Sequence, residues 1–174
     1  RPAPSMTLCE VATPKQHSIA DVSEFLNISP ELIVKTLIIH GVKSKADSKK
    51  ENSPAPLIAI VIRGDKSLNE IKAEKHPLLA EPFTMPSDEE IQNAVGCQPG
   101  SIGPIGLTLP IIADLSVINM ADFVCGANKD DAHFTGVNWE KDVSFSEQFD
   151  LRDVVEGDVS PCGEGQLEIK RGIE

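Results

Sequence analysis

Four places in the chain combine residue types and spacing that could do chemistry. The first is Lys35, inside the apolar run Ile33 to Ile39. Strand side chains alternate between faces, so Lys35 shares a face with Ile33, Leu37 and Ile39. Lysine is rarely buried without a partner. Either this face is an edge and the ammonium reaches water along its stem, or it stands at a pocket rim, where it could hold a phosphate or polarise a leaving oxygen. The second is Gly100-Ser101-Ile102-Gly103-Pro104. Two glycines allow sharp turning and close approach, and Pro104 fixes the exit angle. Such a loop can aim successive N–H groups at one oxygen, as an oxyanion hole does, or it can be a plain turn between helix and strand.

Asp114, on the same strand face as Ile112, is the third; a buried carboxylate needs a partner, and a substrate ammonium would serve. A strand-end aspartate in water fits the same pattern. The fourth is His133, after the polar turn Asn128-Lys129-Asp130-Asp131, readable as a ligand, a base or a satisfied structural histidine. Other machinery is missing from the sequence: no G-x-S-x-G elbow, no H-E-x-x-H, no Walker lysine and no G-x-G-x-x-G. Cys9, Cys97, Cys125 and Cys162 are far apart, without the paired spacing of a zinc site, and read as free thiols. No metal is expected.

Positioning these groups requires an alternation of strands and helices. A helix is expected over 19–27, capped by Ser18, and a single helical turn at Ser29-Pro30-Glu31. Strands are expected over 33–41 and 57–62, the second a continuous apolar run buried on both faces. Then come a helix over 67–76 presenting Leu68 and Ile71, a short strand at 83–85, and a capping box at Ser87 to Glu90 opening another helix. Strands are expected over 109–115, 122–127 and 133–139. Residues 42–56 read as a surface loop, 1–16 as an incoming linker and 140–166 as acidic loop. The class is α/β with a mixed sheet.

Length and charge narrow the rest. One domain of 174 residues can bury a single sizeable core. The net charge of -11 disfavours non-specific binding to long nucleic acids. Lys35 to Lys75 nevertheless holds nine basic and five acidic residues, so one region tolerates a short anionic ligand. No apolar run approaches a membrane span, no signal-peptide pattern opens the chain, and a cytoplasmic location is expected.

The segments Leu32 to Leu37, Val61-Ile-Arg63-Gly64-Asp65, Leu68 to Lys75, Gly100 to Pro104, Phe123 to Asn128, His133 and Gly136-Val-Asn-Trp139 together resemble the insertion domain of bacterial prolyl-tRNA synthetases. The likeness spans about residues 15 to 174, and residues 157–161 and 169–174 look like the return into a class II catalytic core. It implies a linker over 1–16, an editing domain over 17–155 and a return segment over 156–174, with the catalytic core outside this chain. The implied fold is a mixed, strongly curved central sheet surrounded by helices, shared with free-standing trans-editing deacylases.

The implied activity is hydrolysis of alanyl-tRNA(Pro). The implied partners are the acceptor end of proline tRNA and a parent synthetase, itself a homodimer. Editing would need no cofactor, since ATP and magnesium belong to the parent's core. In that scheme the amides of Gly100, Ser101, Ile102, Gly103 and the Pro104 turn bind the ester carbonyl. Lys35 grips the terminal adenosine's phosphate or sugar, Asp114 holds the α-ammonium, and His133 limits pocket size. Two other readings remain open: a free-standing deacylase for cysteinyl-tRNA(Pro) or another mischarged species, and a non-catalytic module that only grips the acceptor end.

Overall fold

The computed structural model describes residues 1–44, 53–160 and 162–170. Its elements in chain order are β1 (Cys9–Ala12), α1 (Ile19–Leu26), a 3-10 turn (Pro30–Leu32), β2 (Val34–His40), β3 (Leu57–Arg63), α2 (Glu70–Glu74) and α3 (Asp88–Val95). A second 3-10 turn (Pro99–Ser101), β4 (Ile111–Asp114), β5 (Phe123–Gly126), β6 (Ala132–Val137) and β7 (Glu147–Phe149) follow. Among the described residues no helix is long and apolar enough to cross a membrane.

Local chemistry sets the helix ends. The Ser18 hydroxyl accepts from Asp21 N–H at 3.0 Å while the Asp21 carboxylate accepts from Ser18 N–H at 3.2 Å, a reciprocal cap that satisfies two orphan donors. Asn27, in the left-handed region at φ 53°, stops α1. Ser87 and Glu90 repeat the reciprocal cap on α3, which ends at Gly96 with φ 88°. Each cap contributes about 1 kcal/mol, enough to decide whether an eight-residue helix forms.

The strand pairing divides into two sheets. One runs β2-β3-β4-β7, antiparallel at β2/β3 and parallel beyond; the other runs β1-β6-β5, all antiparallel. This is the expected mixed α/β architecture. From Ile58 to Ile62, β3 is buried on both faces, as its unbroken apolar run requires. The main core, which includes Val34, Ile38, Val61, Ile102, Phe123 and Trp139, fills the space between the sheets. Ile39, Ile60, Leu79 and Leu151 cover the opposite face of the first sheet. The sheets meet where Ile33 bridges Val124 in parallel, and α1 lays Val22 and Leu26 over that junction.

Several expected elements differ. Residues 9–12, expected as linker, form β1, because β6 offers an edge and Asp131 carbonyl receives Thr13 N–H at 2.8 Å. Residues 147–149, expected as loop, add the short edge strand β7. The helix over 67–76 shortens to α2: Leu68 is spent on a bridge to Arg152, and Ile71 is exposed. Residues 83–85 make no strand, although the Thr84 carbonyl accepts from His40 N–H at 3.1 Å. Part of the 42–56 loop and part of the 156–174 segment lie outside the described residues.

Candidate active site

Beyond the Ile33–Val124 junction β2 and β5 diverge, and a cavity of about 290 Å³ opens in the wedge between them. It is lined on one side by Val34 to Leu37 and on the other by Gly126 and His133. Gly100 and Ile102 close one end, with His17 and Ser18 at the start of α1 nearby. Lys35, the 100–104 segment and His133 are therefore brought together from three distant parts of the chain.

Lys35 is half-buried, and its ammonium donates to the Lys66 carbonyl in the turn after β3. That turn is pinned by the Arg63 guanidinium, which grips the Asp65 carboxylate through two bonds of 2.6 and 2.8 Å. Burial lowers the Lys35 pKa from its ordinary value, and the nearby Asp65 charge partly offsets this. One N–H of the ammonium is spent on Lys66, and a lysine head has two more to offer a ligand.

The 100–104 segment differs from the expected row of amides facing one oxygen. Ser101 N–H donates to Gln98 carbonyl at 3.0 Å, Ile102 N–H to Pro99 carbonyl at 3.4 Å, and Gly103 N–H to the Asn128 side chain at 2.8 Å. Pro104 has no N–H. Gly100 N–H is left without a protein acceptor among the described residues, and the long Ile102 bond is the next most easily redirected. Gly100 and Ile102 face the cavity, whereas Ser101, Gly103 and Pro104 are buried in the support behind it.

That support is built by Asn128. Its side chain accepts from Gly103 N–H and donates to the carbonyls of Gly103 and Ile105 at 3.0 and 2.8 Å. Its own N–H donates to Ser101 carbonyl at 2.9 Å. Asn128 adopts φ 55°, a left-handed conformation that asparagine tolerates better than most residues. The sequence places Asn128 in a polar turn, and the αL tolerance of asparagine two residues after Gly126 is the available signal, but the loop it staples is 25 residues away.

His133 is 4 % exposed, and its Nδ1 lies 2.6 Å from the buried Thr13 hydroxyl, which leaves Nε2 for the cavity. Thr13 gave no sequence signal, since it fell in a segment expected to be linker. Burial, with His17 nearby, lowers the His133 pKa below 6.5. As pH falls below about 6.5 the unfolded chain therefore takes up this proton before the folded one does. Stability should drop through that window and level off, for this group, below the folded-state value. In His133→Asn the melting temperature should depend less steeply on pH between about 6.5 and 5, above the range where carboxylates titrate. An unchanged slope in thermal scans would show that His133 does not carry it.

Asp114 is not in the cavity. It is fully buried, and its carboxylate accepts from Leu151 N–H at 2.7 Å, Arg152 N–H at 3.1 Å and Ser116 N–H at 2.8 Å. Its partners are main-chain amides of this protein, so the expected ammonium-binding role is withdrawn: the residue knots the end of β4 to the chain leaving β7. Asp114→Asn would turn an NH2 group toward an amide donor and lose the charge. It should cost about 1–3 kcal/mol in thermal or urea unfolding while leaving substrate KM unchanged. A raised KM at unchanged stability would restore the ligand role.

Among the described residues no three His, Cys, Asp or Glu side chains gather as metal ligands. Cys97 and Cys125 are buried, with burial pushing the Cys97 thiol up to about 11 and the Cys125 thiol higher still; Cys9 and Cys162 are exposed.

Comparison with known proteins adds a family and a fold. A family model described as aminoacyl-tRNA editing domain matches residues 13–143. A crystal structure of the hypothetical protein APE2540 superposes with a TM-score of 0.62 at 20% identity, covering 85% of this chain and 93% of that one. A candidate trans-editing enzyme for prolyl-tRNA synthetase gives a TM-score of 0.66 at 18% identity, over 84% of this chain and 87% of that one. A scaffold protein from epitope backbone grafting gives 0.66 at 17% identity, over 84% and 88%.

Proposed function

The chain belongs to the aminoacyl-tRNA editing domain family, and on that premise we propose that it hydrolyses alanyl-tRNA(Pro), the product of mistaken charging by prolyl-tRNA synthetase. The observation that carries this reading is the cavity in which Lys35, Gly100, Ile102 and His133 converge. At about 290 Å³ it suits a small aminoacyl group with part of a ribose rather than a whole nucleotide.

Editing answers a physical limit. A synthetic site shaped for proline rejects a smaller amino acid only by the contacts it fails to make, worth roughly 1–3 kcal/mol per methylene. A second cavity that admits alanine and excludes proline inverts the selection. The chemistry asks little of side chains, because an aminoacyl ester is already activated and water attack needs mainly positioning and charge stabilisation. In this reading Gly100 N–H, joined by Ile102 N–H, binds the developing oxyanion. The Lys35 ammonium, held by Lys66, grips the phosphate or sugar of the terminal adenosine. His133, fixed by Thr13, forms the wall that limits the amino-acid side chain. No cofactor is invoked. The acceptor end of proline tRNA is the partner, presented either in trans or by an adjoining synthetase.

The test is deacylation of alanyl-, cysteinyl- and prolyl-tRNA(Pro) by this chain. Fastest release of alanine is expected. Preference for cysteine would move the substrate, and tight tRNA binding without release of any amino acid would favour the acceptor-end binding module. Replacing His133 by alanine should raise the rate on prolyl-tRNA(Pro) by about tenfold or more, the equivalent of one to two methylenes of relieved overlap. Strict retention of the alanine preference would remove His133 from the size filter.

A further inference from the structure

The register of β2 on β3 assigns every main-chain group of β2 to one edge or the other. Ile33 carbonyl accepts from Gly64 N–H at 2.7 Å and Gly41 N–H donates to Pro56 carbonyl at 2.7 Å, which brackets the ladder. With Lys35 opposite Ile62 and Leu37 opposite Ile60, odd-numbered residues form the closely hydrogen-bonded pairs with β3. Val34, Thr36, Ile38 and His40 therefore direct their N–H and C=O groups to the other edge. At His40 both are used: N–H donates to Thr84 carbonyl at 3.1 Å, and the carbonyl accepts from Ala80 N–H at 3.1 Å. At the opposite end β2 is closed by the Ile33–Val124 bridge. Between them, at Thr36, no described strand pairs with β2, and this is where the cavity lies. The Thr36 hydroxyl also lacks a hydrogen-bond partner, although the residue is only 5 % exposed.

We propose that the Thr36 main chain receives the aminoacyl group of the substrate as a one-residue strand. An α-amino ester carries its ammonium and its carbonyl oxygen on one Cα, with the spacing of a residue's own N–H and C=O. In an extended conformation it can exchange both bonds with Thr36, as a closely bonded antiparallel pair does. The ammonium donates to Thr36 carbonyl, taking the role withdrawn from Asp114, and Thr36 N–H donates to the ester carbonyl. When water adds, its oxygen bonds to the carbonyl carbon and the carbonyl oxygen takes the negative charge, facing Thr36 N–H and Gly100 N–H. Collapse breaks the bond to the ribose oxygen, which leaves protonated; the amino acid departs as carboxylate, and the remaining proton passes to solvent. Opposed residues in such a pair share a face, so an L-alanyl methyl lies beside the Thr36 side chain, on the face opposite Lys35.

This rests on the deacylase reading and deepens it. The test uses the 174-residue chain and the non-hydrolysable 3′-deoxy-3′-(L-alanylamino)adenosine. Residue-resolved amide exchange by NMR should show Thr36 N–H slowed by about tenfold or more at saturation, while Lys35 and Leu37, already bonded to β3, stay as they were. The lactyl counterpart, with a hydroxyl for the ammonium, should bind about tenfold or more weaker. Saturation that leaves Thr36 exchange unaltered, in a chain that deacylates alanyl-tRNA(Pro), overturns the ladder alone. Failure both to bind the analogue and to release any amino acid from tRNA overturns the deacylase reading, and the ladder with it.

Discussion

Lys35→Ala is expected to lower kcat/KM for alanyl-tRNA(Pro) deacylation by about 10- to 100-fold, the worth of roughly 1.5–3 kcal/mol for a hydrogen bond to a charged group. The fold should not suffer. Burial lowers the Lys35 pKa, so the ammonium is a cost to the folded state, and removing it leaves the β2 ladder intact. Circular dichroism and the melting temperature should match the parent chain, which separates lost chemistry from lost structure. Lys35→Arg should restore little, because the compact head donating to Lys66 becomes a planar fork on a longer stem. Undiminished single-turnover release of alanine by Lys35→Ala would remove the lysine from the reaction.

Gly103→Ala should be the most disruptive glycine-to-alanine change among the described residues. A Cβ there would fall inside the van der Waals surface of the Gly126 carbonyl. Neither backbone can yield easily: Gly126 belongs to β5, and Gly103 is held on both sides by Asn128. Overpacking of this kind costs about 3 kcal/mol or more, or roughly 6–12 °C in melting temperature for a chain of this size. Gly96→Ala is the control. Its surroundings are open, so only the left-handed φ of 88° opposes the methyl, at about 1 kcal/mol. Equal effects from the two substitutions would mean that the Gly103–Gly126 contact is not the tight joint described.

The longer apolar and capped segments were legible in advance. Ser18 announced its helix as a cap ahead of an apolar face, Ser87 did so through its spacing to an acidic partner, and the run from Leu57 to Ile62 announced a strand buried on both faces. β1 and β7 were not legible, because three- and four-residue edge strands take their structure from the partner they dock on rather than from their own pattern. Of the site, Lys35 was visible as a charge inside an apolar strand and His133 through the family resemblance. Asp114 shows why such signals mislead: a carboxylate predicted to need a partner found three, all of them amides of its own chain. Parity along a strand says which face a side chain takes, but not whether a loop 37 residues later covers that face. The loop amides misled in the same way, since nothing local to Gly103 reveals that Asn128 claims its N–H.

The wedge between β2 and β5 has a consequence for how such a protein diversifies. Part of its lining is peptide backbone at Thr36 and Gly100, which every amino acid supplies alike, while bulk at the walls comes from replaceable residues such as His133 and Thr36. On the proposed reading, point changes at these walls would retune which acyl group enters while the main-chain groups proposed to bind the oxyanion persist, so descendants of one ancestor could acquire new clientele without first losing their trade.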